Sequence, residues 1–350
     1  MTVQHREPVP LEARPDAPPV LTVVIDTEEE FDWTKPFARE AVGVTNIDAQ
    51  PLMHRVFERH GIVPTYVVDF PVATTPSSVA LLRGLLDGGL CEIGAHLHPW
   101  VSPPFEEELT RMNSYPGNLP AELEHAKLAR LGRAIGENLG VRPLVYKAGR
   151  YGIGRNTPAI LEDLGYEVDT SVVPHTSFSR DGGPDFRRMP DAPYRFGHDG
   201  RLLELPLTVG FGGRLAASGS DLYRLIDGPL ARRCKLPGVA SRLRLLERTR
   251  LTPEGVPLAR LQRLTVDMLK RGHRVFVFSY HSSTLAPGMG HYVRNQDDLK
   301  AFIDTCDAYF HFFGTVVGGA FATATEIRRR MVPARPLQCE GNQASVRPMT

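Results

Sequence analysis

Two short polar clusters, each at the end of an apolar run, hold the side chains in this sequence best suited to chemistry. They are V-V-I-D-T-E-E-E-F-D-W at 23–33 and E-I-G-A-H-L-H-P-W at 92–100. Asp26 and Glu28 are two residues apart, as are His96 and His98, and in an extended segment that spacing puts both members of a pair on one face. Two imidazoles and a carboxylate can hold a divalent cation and leave positions open for water and substrate, while a second carboxylate acts as base. Open positions imply catalysis rather than a structural ion. Taken singly, the same residues read more plainly. Asp26 alone would be a turn cap, and Glu28, Glu29 and Glu30 alone would be a solvated charge run. His54, His60, His125, His175 and His273 are expected to be satisfied or exposed side chains.

Three more residues extend the set. Arg150 lies in the glycine-flanked turn A-G-R-Y-G, where its guanidinium could hold a carboxylate bidentately and keep it ionised. His281 ends the apolar run R-V-F-V-F-S-Y-H and is placed to protonate a leaving group. Asp169 could orient His281, or serve as a capping turn in D-T-S. Trp33, Trp100, Tyr151 and Tyr292 could supply stacking platforms for a sugar ring.

The elements that must position these residues alternate between short apolar runs and amphipathic stretches, the pattern of repeated βα units on a parallel sheet. Strands are expected at 21–25, 65–69, 91–95, 144–148, 166–168, 202–209 and 274–281, with a last short one near Val316. Helices are expected at 50–60 (capped by Asp48 and stopped by Gly61), from Ser77 to 86, from Pro120 to 139, after Asn156, and from Asn295 to 312. Roughly seven βα units fit either a barrel or a wound sheet. The barrel is favoured because Asp26, His96, Arg150, Asp169 and His281 each follow the C-terminal end of a different strand, and those ends share one mouth in a barrel.

Bulk composition narrows the function. Lys and Arg total 41 against 40 for Asp and Glu, so no basic field draws this chain to nucleic acid. The cysteines at 91, 234, 306 and 339 lack paired spacing, and the chain does not open with a secretory leader, which points to the cytoplasm. No uncharged apolar run approaches the ~18 residues of a membrane span. Residues 1–19 read as a disordered N-terminal arm, 20–330 as the barrel with a mostly helical insertion over about 211–270, and 331–350 as a C-terminal tail. Within the insertion, the basic stretch 231–250 would suit peripheral contact with an anionic membrane, or a solvated helix packing Leu236, Leu243 and Leu246 on the barrel.

In their order along the chain, D-T-E-E-E-F-D-W, A-H-L-H-P-W, A-G-R-Y-G and F-S-Y-H-S-S-T-L resemble the polysaccharide deacetylases of the NodB-homology type, carbohydrate esterase family 4 in the wider sense, and more closely its WalW-like branch. The resemblance spans about residues 20–320. It implies an α/β fold, an irregular (β/α)7 barrel of the NodB/glycoside hydrolase-deacetylase type, that removes an N-acetyl or related acyl group from a saccharide or glycoconjugate with the help of a divalent metal, zinc foremost. It further implies Asp26 as base held by Arg150, His96 and His98 as ligands, and His281 as acid. The main family carries two adjacent aspartates where this chain has Asp26-Thr27-Glu28, so side-chain direction makes Glu28 the third ligand, with Asp32 as the substitute. The main family also spaces its histidines four apart, against two here. Competing readings are a hydrolase of small cyclic amides or ureides, a non-haem iron oxygenase using the same donor set, and a non-catalytic carbohydrate-binding barrel. The parallel βα pattern argues against the oxygenase.

Overall fold

Among the described residues, seven parallel strands form the path of the sheet that carries the site, and the two-residue strand Ala320–Phe321 also pairs parallel with the first of them. The ranges of the seven are β1 Val20–Thr27, β2 Thr65–Val68, β3 Glu92–Leu97, β4 Val145–Ala148, β5 Val168–Asp169, β6 Leu202–Glu204 and β7 Val275–His281. The computed structural model describes residues 17–198, 200–215 and 245–331, together with positions 9, 10, 219, 222, 223, 233, 238 and 242. The strand order is β7-β1-β2-β3-β4-β5-β6, and every neighbouring pair in it is parallel. Valine and isoleucine dominate β1, whose residues after Val20 are all buried, as expected of a strand covered on both faces.

The sheet curls into an irregular barrel, and its two ends meet without a regular ladder. Leu207 N donates to Val172 O at 2.9 Å, Leu251 N to Thr208 O at 2.8 Å, and Ser279 N to Leu251 O at 3.3 Å. These bonds carry the chain across the gap between the β6 side and β7. Beyond β6 the antiparallel strand Tyr194–Phe196 extends the edge and pairs with Val9–Pro10 of the expected arm.

Helices pack outside. Among the described residues, those of eight residues or more are α1 Gln50–His60, α2 Pro76–Asp87, α3 Ala121–Leu139, α4 Thr157–Leu164, α5 Leu258–Lys270, α6 Gln296–His311 and α7 Ala324–Met331. Gly61 closes α1 at φ 63°, a left-handed conformation that glycine adopts without Cβ strain. Asp48 does not cap α1, because a 3₁₀ turn over Thr45–Ala49 leads straight into it. Helix α2 begins at Pro76 with Thr75 at the cap position, and the last strand is Ala320–Phe321, because a single π turn over Phe312–Val316 prolongs α6.

Within the insertion, expected to be mostly helical over about 211–270, the described residues include a pair of strands as well as helical positions. Glu247–Arg250 pairs antiparallel with Val209–Gly212, with Thr249 opposite Gly210, and α5 follows it in the chain. This hairpin gives the backbone of the glycine-alternating segment V-G-F-G a ladder in which to pair. Most of the basic stretch 231–250, all of the tail from 332, and most of the arm lie outside the described residues. Among the described residues no helix is long and apolar enough to cross a membrane.

One buried side chain makes the fold pH-sensitive. His54 packs against Phe57 and Tyr66, neither ring nitrogen has a hydrogen-bond partner among the described residues, and burial pushes the imidazole down to about 4 from 6.5. As pH falls below that unfolded value, the unfolded chain takes up a proton here before the folded one does, so stability drops across that window. His54→Leu should therefore raise the urea midpoint over the parent by a margin that widens from pH 7.5 to pH 5. An equal margin at both values would rule out this source of acid sensitivity.

Candidate functional site

Strand register brings the reactive side chains together. Asp26 on β1 stands opposite His281 on β7, and His96 on β3 stands opposite Lys147 on β4. His96 and His98 leave β3 on the same side, and Glu28 follows β1 by one residue. The His96 Nδ1–H donates to the Lys147 carbonyl at 2.9 Å, and the His98 Nδ1–H donates to Glu29 Oε2 at 2.7 Å. These acceptors assign the ring protons to Nδ1 and leave each Nε2 with a free lone pair. Both Nε2 atoms lie 3.4 Å from Glu28 Oε2. Ligand atoms about 2.1 Å from a tetrahedral ion stand about 3.4 Å apart, so Glu28, His96 and His98 fit three corners around one cation. Glu28 is fixed through its backbone, which receives Asn46 Nδ2 at its carbonyl (3.0 Å) and donates to Ser282 Oγ (3.2 Å). Gly149 lets β4 run close behind the ligands, since a Cβ there would fall 2.4 Å from His98 Cδ2.

An outer layer orients His98. Glu29 accepts from Trp100 Nε1 at 2.8 Å, and Asp69 accepts from Glu29 N at 2.6 Å and Val72 N at 2.8 Å. Glu29, Asp69 and His98 also gather closely enough to hold an ion. That space is already filled by hydrogen bonds: burial above all lifts Glu29 to about 8 and Asp69 well above its ordinary value, so the two carboxyls retain a proton between them. The layer supports the imidazole in the way outer carboxylates support metal-bound histidines. Trp100, expected as a sugar platform, belongs to this layer instead. It is buried, and its ring stacks on His98 with centroids 4.2 Å apart.

Beside the three donors sits an acid-base pair. Lys147 Nζ, fully buried, donates to Asp26 Oδ1 and, at 3.0 Å, to Ser279 Oγ. Burial opposes the charge of Asp26, but Lys147 first, then His281 and His96, outweigh it and hold the carboxyl below its usual range. His281 Nε2 lies 3.6 Å from Asp26 Oδ2, and its Nδ1 lies 3.0 Å from Glu254 Oε2. Glu254 is itself anchored by Thr284 Oγ1 at 2.6 Å and by the His281 N–H at 2.9 Å. Burial pulls the imidazole down, yet Glu254 first, then Glu28 and Asp26, raise it well above its ordinary value. A carboxylate and an imidazolium thus face each other in the lining of a cleft of about 660 Å³.

Several expected partners change. The cation against Asp26 is Lys147, which points from within β4 into the barrel. Arg150 lies beyond the strand in a turn with φ 55°, which directs its guanidinium along the cleft wall to Ser114 Oγ, to Arg111 O at 3.4 Å, and over the Tyr115 ring at 4.1 Å. The residue orienting His281 is Glu254, from the stretch after Glu247–Arg250. Asp169 is buried elsewhere, on Ser171 Oγ and against Glu204. Asp32 is exposed and engages Thr34 and Lys35, away from the ligands. Trp33, half-exposed, and Tyr151 do line the cleft, and the Tyr151 hydroxyl accepts from Arg250 Nη1 at 3.0 Å. Lys147, Glu29 and Glu254 escaped the sequence reading. The lysine had a signal, being a charge in the middle of the apolar strand V-Y-K-A that must find a buried partner. Glu254, in a T-P-E-G turn, had none.

No protein-family profile matches the sequence, and no curated protein does. Solved structures do resemble it. A Mycobacterium smegmatis protein assigned as a polysaccharide deacetylase aligns with a TM-score of 0.52 at 17% identity, over 95% of this chain and 99% of that one. A Puue allantoinase aligns at 0.52 and 13% identity, over 90% of this chain and 92% of its own. A Pseudomonas aeruginosa PAO1 protein, also assigned as a polysaccharide deacetylase, aligns at 0.50 and 13% identity with the same coverages. At these identities the shared property is the barrel.

If Glu29 orients His98 for a cation, Glu29→Ala should weaken zinc binding about 10- to 100-fold, read by competition with a chromogenic chelator. Unchanged affinity would make the layer a packing feature only.

Proposed function

We propose that this chain is a metal-dependent hydrolase that removes an N-acetyl or related acyl group from a saccharide or glycoconjugate. The observation that carries the reading is the Asp26–His281 pair, opposite in charge and 3.6 Å apart, beside three donors aimed at one point. A divalent cation held by Glu28, His96 and His98 would supply Lewis acidity to the acyl carbonyl and to the attacking water. The donor set, two nitrogens and one oxygen with tetrahedral spacing, favours zinc.

This chain's own groups do the proton work. Asp26 Oδ1 is occupied by Lys147, so Oδ2 is the oxygen that takes the proton from water. His281, charged because Glu254 backs its Nδ1, presents Nε2 to the departing nitrogen and donates its proton there. Without that proton an amine anion would have to leave, which is why acid and base are both needed. The Tyr151 backbone, at φ 60° on the cleft wall, is the donor we assign to the developing oxyanion. The four motifs support the WalW-like branch, and the buried free thiols Cys91 and Cys306 suit a reducing compartment such as the cytoplasm.

Acetate release from a panel of N-acetylated saccharides, measured on zinc-loaded protein and after chelation, tests the reading. Asp26→Asn should abolish turnover, by about 10²- to 10⁴-fold, while zinc content stays at parent level. An active Asp26→Asn variant would exclude the base assignment, and hydrolysis confined to cyclic ureides would move the substrate class. The alkaline limb of the pH profile belongs to His281. Because Glu254 raises that imidazole, Glu254→Gln should shift the limb to lower pH, and a limb that stays in place would clear His281 of the acid role.

A further inference from the structure

Arg150 lines the same cleft as the acid-base pair yet serves neither member of it. Its guanidinium is packed between aromatic rings, 4.1 Å from the centroid of Tyr115, 5.6 Å from Phe37 and 5.8 Å from the half-exposed Trp33. Apolar walls of this kind weaken solvent screening and strengthen whatever ion pair the guanidinium makes. Only Nη1 is used in hydrogen bonding among the described residues, to Ser114 Oγ and to the Arg111 carbonyl at 3.4 Å. Nη2 has Asp181 Oδ2 at 3.8 Å, beyond hydrogen-bond reach, and that carboxylate is already engaged by Arg111 Nη1 at 2.8 Å.

Among the described residues no carboxylate around the cleft hydrogen-bonds to Arg150, and its one ion-pair contact is the 3.8 Å approach of Asp181. Asp26 is matched by Lys147, Glu254 by His281, Asp32 by Lys35 and Asp181 by Arg111. Glu28 belongs to the cation site, and Glu30 is satisfied by Thr45 Oγ1 at 2.6 Å and Asn46 N at 2.8 Å. Burial lowers the guanidinium from its usual value, as expected of a cation taken from water without a full partner.

Resting on the proposed reading of this site, we infer that Arg150 recognises an oxyanion on the substrate, a carboxylate or phosphate carried by the saccharide beside the acylated sugar. The planar fork of Nη2 and Nε suits bidentate pairing with such a group, and the rings fix the plane in which it is offered. Trp33, stacked at its side and open to solvent, provides a face for the sugar bearing the charge.

The test compares an N-acetylglucosaminyl-glucuronic acid disaccharide, its carboxyl-reduced counterpart and N-acetylglucosamine 1-phosphate on zinc-loaded protein. The parent should favour an acidic substrate over the reduced one, and Arg150→Met should lower that ratio of kcat/KM about 10- to 100-fold, with Arg150→Lys between. Asp181→Asn, which removes the competing carboxylate, should raise it. Preference for glucuronate over phosphate, or the reverse, identifies the source of the oxyanion. Glucuronate titrated against the fluorescence of Trp33, one of 2 tryptophans in the chain and the exposed one, reads binding without turnover. Glucuronate binding that Arg150→Met abolishes, in a protein that hydrolyses none of the three, would uphold this inference and defeat the deacylase reading. Equal turnover of acidic and reduced substrates, with a ratio indifferent to Arg150→Met, would defeat the inference and leave the deacylase reading standing.

Discussion

The arrangement depends on one buried cation. Lys147 sits inside the barrel with no exposure, and a bare ammonium there would be prohibitively costly. Its position therefore has to be answered by an acceptor, and Asp26 is that acceptor, with Ser279 completing the contact. The same residue acts through its backbone as well, because its carbonyl fixes the His96 ring. A single position on β4 thus sets both the ionisation of the base and the lone pair of a ligand. Register does the rest, since parallel pairing places Asp26 beside His281 and His96 beside Lys147.

Around that pair the charges are nested by distance from solvent. Lys147 and Asp69 are enclosed, Asp26, Glu29, His96 and His98 are buried side chains that line the cleft, and Arg150 and the half-exposed Trp33 line it further out. Each enclosed charge is met by an opposite charge or by a retained proton, which keeps the cost of burial bounded. The layer of Glu29, Asp69 and Trp100 adds rigidity of a different kind. It removes the freedom of His98 to rotate, so that a cation meets a ring already in place.

Barrel closure also has a functional consequence. The gap between the β6 side and β7 is crossed by an irregular path through Thr208 and Leu251. The stretch following the hairpin strand Glu247–Arg250 is thereby drawn to the mouth, where Glu254 meets His281 and Arg250 meets Tyr151. An irregular seam, which a closed symmetric barrel would lack, is what admits these two residues to the site.

The sequence determined the class of fold and the donors of the site. Alternating apolar runs forced a parallel βα arrangement, and period-two spacing put Asp26 with Glu28 and His96 with His98 on common faces, because strand geometry is local. Which residues would pair across the barrel was decided only by the tertiary structure. Whether Lys147 or Arg150 meets Asp26, and whether Asp169 or Glu254 meets His281, turns on where β4 ends, how a turn with positive φ aims its side chain, and how a distant hairpin folds back. The Asp26–Lys147 contact joins residues 121 apart in sequence and the Glu254–His281 contact residues 27 apart, and in both cases closure of the barrel, not local spacing, chooses the partner.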